Sequence, residues 1–109
     1  MKQRRAGPRT MCAELLTIRW TDRVGKDRNA VVSLEDISEA GACLRSEYAI
    51  LPETAVSLHY SSGKYQGAVR YCTYETSGFL IGVAFDDGYR WSKADFEPSH
   101  LLEVPSLGE

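Results

Sequence analysis

Polar and apolar residues alternate with a period of two along much of the chain. Ala55–Tyr60 is the clearest case, with Val56, Leu58 and Tyr60 on one face and Ser57 and His59 on the other. That is the pattern of a strand with one side in a core and one in water. Lys64–Glu75, carrying Tyr65, Ala68, Val69, Tyr71 and Tyr74, reads as a second such strand. Gly78–Phe85 is a nearly continuous apolar run, Gly-Phe-Leu-Ile-Gly-Val-Ala-Phe, whose glycines fit a strand end and a bend or bulge. Met11–Trp20 and Arg28–Ile37 are two earlier strands, and Ala42–Arg45 a short one. Turn signals separate them at Asp22–Gly25, Glu39–Gly41, Leu51–Glu53, Ser61–Gly63, Thr76–Gly78 and Asp86–Gly88. This rhythm predicts an all-β barrel or sandwich of five to seven strands, not alternating strand–helix units.

One helix is expected, near the C-terminus. Ser92-Lys93-Ala94-Asp95 has capping-box form, and Pro98 limits the helix to a turn or two. Leu101, Leu102 and Val104 beyond it are expected to close over an open barrel end.

The length, 109 residues, is that of one domain with one modest core. No apolar stretch reaches the 18 residues of a membrane-spanning helix, so no membrane insertion is expected. The basic start Met1-Lys2-Gln3-Arg4-Arg5 is followed by no apolar segment, unlike a secretory signal. The three cysteines, Cys12, Cys43 and Cys72, are odd in number and widely spaced. They read as small apolar residues in a reducing cytoplasm, not as a disulfide framework.

The net charge of −2 conceals an asymmetry. Residues 1–9 carry Lys2, Arg4, Arg5 and Arg9 and no acid, giving +4, whereas residues 10–109 hold 9 basic and 15 acidic residues, giving −6. A flexible basic arm, 1–9, thus precedes an acidic barrel domain, 10–109. An acidic body is a poor generic binder of DNA or RNA, which requires a broad cationic surface. A short cationic arm is better matched to a small, highly charged anion.

Little in the sequence points to catalysis. His59 and His100 are far apart and lack a neighbouring Cys, Asp or Glu at metal-ligand spacing. Neither a nucleophile elbow nor a nucleotide-binding glycine loop is present. Asp86-Asp87-Gly88 reads as a turn rather than a metal loop. No enzyme, metal or cofactor is expected.

Two segments remain. In Arg4-Arg5-Ala6-Gly7-Pro8-Arg9, Gly7 and Pro8 prevent a regular helix, so the arm can wrap a ligand and present guanidinium forks to phosphate or to the O6/N7 edge of guanine. In Asp36-Ile37-Ser38-Glu39-Ala40-Gly41, Asp36 can accept from guanine N–H groups. Ser38 can donate, and Gly41 leaves room for a flat ligand. Taken singly, the first is a solvated tail and the second an ordinary Asx/Ser turn.

Together and in this order, the segments resemble the PilZ domain. Its Arg-x-x-x-Arg arm is matched by Arg5 and Arg9, and its Asp/Asn-x-Ser-x-x-Gly motif by Asp36, Ser38 and Gly41, with 26 residues between Arg9 and Asp36. Gly67-Ala68-Val69-Arg70 and Gly78–Phe85 look like the family's penultimate and last barrel strands. The resemblance runs from Arg4 to Phe85. It implies a small six-stranded antiparallel β-barrel, here with one short C-terminal helix, that binds the bacterial second messenger cyclic di-GMP. It also implies that Arg5 and Arg9 clamp phosphate and guanine, that Asp36 and Ser38 bind a guanine edge, and that Gly41 permits close approach. Arg4, just before the motif, is placed to stack on a second base, as in an intercalated ligand dimer.

The expected function is a non-catalytic cytoplasmic sensor whose arm closes over the nucleotide and changes the surface offered to a downstream protein. The alternative is a PilZ-like interaction adaptor that ignores nucleotides. An oligonucleotide-binding barrel using the arm as an electrostatic funnel is disfavoured by the acidic body. At 109 residues the output is expected in trans or on a longer chain of which this is one piece, with the Met1 start favouring a complete small protein.

Overall fold

The computed structural model describes residues 9–99 and 102–104. Their strands are β1 (Arg9–Thr21), β2 (Asp27–Ser38), β3 (Gly41–Ser46), β4 (Ala55–Tyr60), β5 (Gly63–Glu75), β6 (Gly78–Phe85) and β7 (Leu102–Val104). The first six pair in the order β2-β3-β6-β5-β4-β1, and β1 also pairs with β2. The result is a closed six-stranded antiparallel barrel, as expected. β7 joins outside it, along the first residues of β1.

Local sequence explains most of the boundaries. The β1–β2 turn forms because the Asp22 carboxylate accepts hydrogen bonds from the Val24 and Lys26 amides at 3.1 and 2.9 Å. Gly25 supplies the left-handed residue that closes it, at φ +84°. Asp86–Gly88 is a turn as well, with the Tyr89 amide donating to the Asp86 carbonyl at 3.0 Å.

The core is the row of inward positions. Ile18, Leu34, Leu44 and Ile81 are fully buried, flanked by Val32, Val69 and Leu58. On β4, Val56 and Leu58 face in while Ser57 and His59 are half-buried on the outer face, the alternation read from the sequence. A stack of four rings, Phe96–Tyr60–Tyr65–Phe85, lies against this core with centroid separations of 4.7, 5.1 and 4.9 Å. Such ring pairs contribute about 0.5–1.5 kcal/mol each beyond the area they bury.

There is no helix among the described residues. At the expected helix the chain makes a single turn, in which the Asp95 and Phe96 amides both donate to the Ser92 carbonyl at 3.0 and 3.2 Å. The capping residues thus start a turn, but the Phe96 carbonyl accepts from the Trp91 indole at 2.7 Å and the Phe96 ring joins the stack on Tyr60. Residues 100, 101 and 105–109 lie outside the described residues. Leu102–Val104 forms β7. No helix among the described residues is long and apolar enough to cross a membrane.

Three irregularities interrupt the ladders. β1 carries two residues, Cys12 and Ala13, between its pairings Met11↔Asp36 and Glu14↔Leu34. Glu35 is extra on β2 between Leu34↔Leu44 and Asp36↔Cys43, and Arg70 is extra on β5 between Val69↔Val83 and Tyr71↔Gly82. Such bulges bend a strand and re-aim its side chains. Glu35 and Arg70 both line one cleft, which Arg9 and Met11, just before the β1 irregularity, also line.

Candidate functional site

Around those bulges is an open cleft of about 580 Å³, lined by residues of β1, β2, β3, β5 and β6 and by the β2–β3 turn. That volume falls in the range of about 300–1,000 Å³ usual for small-molecule sites. Arg9, Asp36, Ser38 and Gly41 all line it. Four of the six residues expected to form a site are therefore brought together by the fold; Arg4 and Arg5 lie outside the described residues.

Each of the four is placed by the backbone. Met11 lies opposite Asp36, which leaves Arg9 near the end of β2, with its guanidinium 3.5 Å from the Asp36 carboxylate. Asp36 keeps only 14% of its side chain exposed, against 45% for Arg9. Here the acid is the fixed partner and the arginine the movable one. Ser38 and Gly41 close the β2–β3 hairpin as paired residues, with the Ser38 hydroxyl 3.5 Å from the Gly41 carbonyl oxygen.

Gly41 has a further reason to be glycine. A Cβ there would run into the Val83 carbonyl oxygen of β6 and lie 3.4 and 3.5 Å from the Val83 carbonyl carbon and the Ala84 Cα. The missing side chain is required by strand packing under the cleft, besides leaving the cleft floor open.

Arg70, Tyr71 and Glu35 also line the cleft and were not among the expected site residues. Arg70 and Glu35 are the bulged residues themselves. Tyr71 is 43% exposed, and its ring covers Gly82, where any Cβ would strike it. A glycine in the middle of an otherwise bulky apolar strand was the sequence signal for that ring, since Gly82 was readable as an irregularity but not as the seat of an aromatic. The Tyr71 hydroxyl reaches the Cys43 sulfur at 3.6 Å.

Burial pushes the Cys43 thiol upward in pKa, with Asp36 and Glu35 adding to the rise and the Tyr71 contact opposing it. Burial likewise raises Tyr71 to about 12, assisted by Cys43 and Asp36. Near neutral pH both are protonated, so Cys43 is a weak nucleophile and Tyr71 a neutral ring with a donor. No group of three potential metal ligands occurs among the described residues.

The cleft combines a movable cation, a second arginine, a fixed carboxylate, a hydroxyl and an exposed flat ring. This set can hold a planar, polar, anionic ligand by ion pairing, edge hydrogen bonds and stacking. Neither a protein-family model nor a curated protein sequence matches the chain.

Proposed function

We propose that the chain is a non-catalytic receptor for cyclic di-GMP, built as a PilZ-like domain. The observation that carries this reading is the convergence of Arg9, Asp36, Ser38 and Gly41 on one cleft, from positions up to 32 residues apart. The ligand is a compact dianion with two guanines and asks for the groups present there. Arg9 leaves Asp36 for a phosphate or the O6/N7 edge of guanine, and Asp36 then accepts from guanine N1–H and N2–H₂. Ser38 donates to the same base or its phosphate. Tyr71 offers a stacking face, and Arg70 a second cation. Arg5 and Arg4, from the arm ahead of β1, complete the clamp, and the closed arm alters the surface met by a downstream protein. Residence in the cytoplasm belongs to the same reading, supported by three cysteines that remain free thiols.

The test is isothermal titration of the purified protein with cyclic di-GMP, with GTP as control. Saturable binding in the micromolar range or tighter, absent with GTP and weakened in Arg5→Ala, Arg9→Ala and Asp36→Ala, is the expected result. Two nucleotides per chain would add the Arg4 stacking role. No heat from a folded protein refutes the nucleotide reading and leaves the adaptor, for which Leu15 and Val31, 71% and 64% exposed, are the apolar outer positions on β1 and β2.

A further inference from the structure

The barrel closes without β7, yet β7 holds the one described part of the arm that carries a ligand-binding arginine. Along its second half, β1 has β4 as neighbour, in the register Thr17↔His59 to Trp20↔Val56. Along its first half that edge is taken by the C-terminal segment. The bulge at Cys12–Ala13 turns the Ala13 amide outward, where it donates to the Ser99 carbonyl at 3.1 Å. The Ser99 amide in turn donates to the Glu14 carboxylate at 2.6 Å. The segment then runs antiparallel to β1, with Leu102 opposite Met11, Glu103 opposite Thr10 and Val104 opposite Arg9. On the other edge, the register of β1 with β2 begins one residue later, at Thr10↔Ile37. The ladder partner of Arg9 is therefore Val104, contributed from 95 residues away in sequence.

We infer that β7 is a positioning element of the binding site: it fixes the backbone at Arg9, so that the guanidinium is delivered to the cleft beside Asp36. Ligand held by Arg9 must then tighten the docking of β7. This rests on the cleft being the binding site proposed above. An isolated end of a strand with one neighbour frays readily, whereas a central strand with two neighbours does not. By linkage, whatever factor β7 adds to ligand affinity, ligand adds to the docking of β7. The C-terminal strand is thereby a reporter of occupancy, docked more firmly while nucleotide is bound and released more readily once it has left.

The experiment uses three variants of the full protein: a chain ending at Ser99, the full-length double substitution Leu102→Pro/Glu103→Pro, and Leu102→Val/Glu103→Thr, which keeps strand-forming residues. Amide hydrogen exchange is followed at residues 9–11 and 102–104, with the Ile18, Leu44 and Ile81 amides as a check that the barrel is intact. In the first two variants the amides of residues 9–11 should lose protection while the barrel keeps it. Cyclic di-GMP affinity should fall at least about fivefold, the lower end of typical site–site coupling. The third variant should restore both. Saturating nucleotide should slow exchange at 102–104 in the intact protein by the same factor. Unchanged protection at 9–11, or unchanged affinity in an intact barrel, overturns the inference. Should cyclic di-GMP give no heat with the intact chain, the nucleotide reading alone fails. The positioning role then stands or falls on Arg9→Ala and Asp36→Ala, which must speed exchange at 102–104 if the cleft and the strand are coupled.

Discussion

Gly41→Ala isolates the packing that underlies the cleft. At a position where alanine fits, replacing glycine stabilises a protein by about 0.4–1 kcal/mol, because the unfolded chain loses freedom. At Gly41 the new methyl would meet backbone, not a side chain that can rotate away: the Val83 carbonyl oxygen, with the Val83 carbonyl carbon at 3.4 Å and the Ala84 Cα at 3.5 Å. Gly41 is paired with Ala84 and Ala42 with Val83, so relief requires β3 and β6 to separate at the first two rungs of their ladder. Forcing one extra methyl into packed structure costs about 1–3 kcal/mol. For a domain of 109 residues, about 2.1 cal/mol/K of unfolding entropy per residue makes each kcal/mol worth about 4 °C in Tm. A fall of about 4–12 °C is therefore expected by calorimetry. Because the Ser38↔Gly41 pair moves with β3, cyclic di-GMP affinity should fall with it. The sign of the Tm change decides the matter. A Tm equal to or above that of the parent protein means that β6 does not press against Gly41, and the account of this glycine is wrong.

Other outcomes follow from the same geometry. Arg9→Ala should leave Tm within about 4 °C, because an ion pair this exposed contributes under about 1 kcal/mol, while cyclic di-GMP affinity falls about 10- to 150-fold from loss of a charged hydrogen bond; a large Tm loss with unchanged affinity would reverse the assignment. Gly82→Ala should displace the Tyr71 ring, breaking its contact with Cys43 and removing a stacking face worth about 1–3 kcal/mol to a bound base, with a smaller Tm loss than Gly41→Ala because an exposed ring can swing aside. Unaltered Tyr71 ring shifts in NMR spectra would count against that placement. Stability should decline above about pH 9: burial raises the Cys12 thiol from 9.0 to about 12, Cys43 also upward, and Tyr71 from 10.0 to about 12. The folded chain then holds more protons than the unfolded one between pH 9 and 12, so unfolding free energy falls as pH rises through that window and is unaffected below it. Urea midpoints at pH 7, 9 and 10.5 measure this, and a flat profile would contradict the partial burial of the Cys12 and Cys43 thiols.

Much of the barrel was legible because its signals are local. Alternation and turn residues set most strand ends within a residue or two, as at Ala55–Tyr60 and Gly78–Phe85, where the observed strands match the expected ones. The start of β1 was not legible. Arg9 is drawn into the strand by Val104, and no local pattern encodes a partner at that distance. The same holds for Leu102–Val104, whose three residues carry too little periodicity to declare a strand. At Ser92–Asp95 the local signal gives a turn, closed by the Asp95 and Phe96 amides on the Ser92 carbonyl, while Phe96 is engaged by the Trp91 indole and the Tyr60 ring.

The cleft was half legible for a related reason. Strict alternation from the buried Val69 sends Arg70 out and Tyr71 in, alongside Tyr65 and Gly67. The bulge at Arg70 breaks that parity, leaving both Arg70 and Tyr71 exposed. On β2, alternation from the buried Leu34 would bury Asp36 and expose Ile37; the extra residue Glu35 reverses both, so Ile37 joins the core and Asp36 faces the cleft. The chemistry of Asp36 could be read from its motif, but its orientation comes from a bulge one residue earlier. A parity slip is itself a sequence signal. Leu34 and Ile37, two core-type residues three apart in a strand of otherwise regular alternation, already require one extra residue between them. On that reasoning, the irregular points of this barrel are where the side chains of its cleft are aimed, and the regular stretches, which the sequence declares most loudly, are the frame that keeps them there.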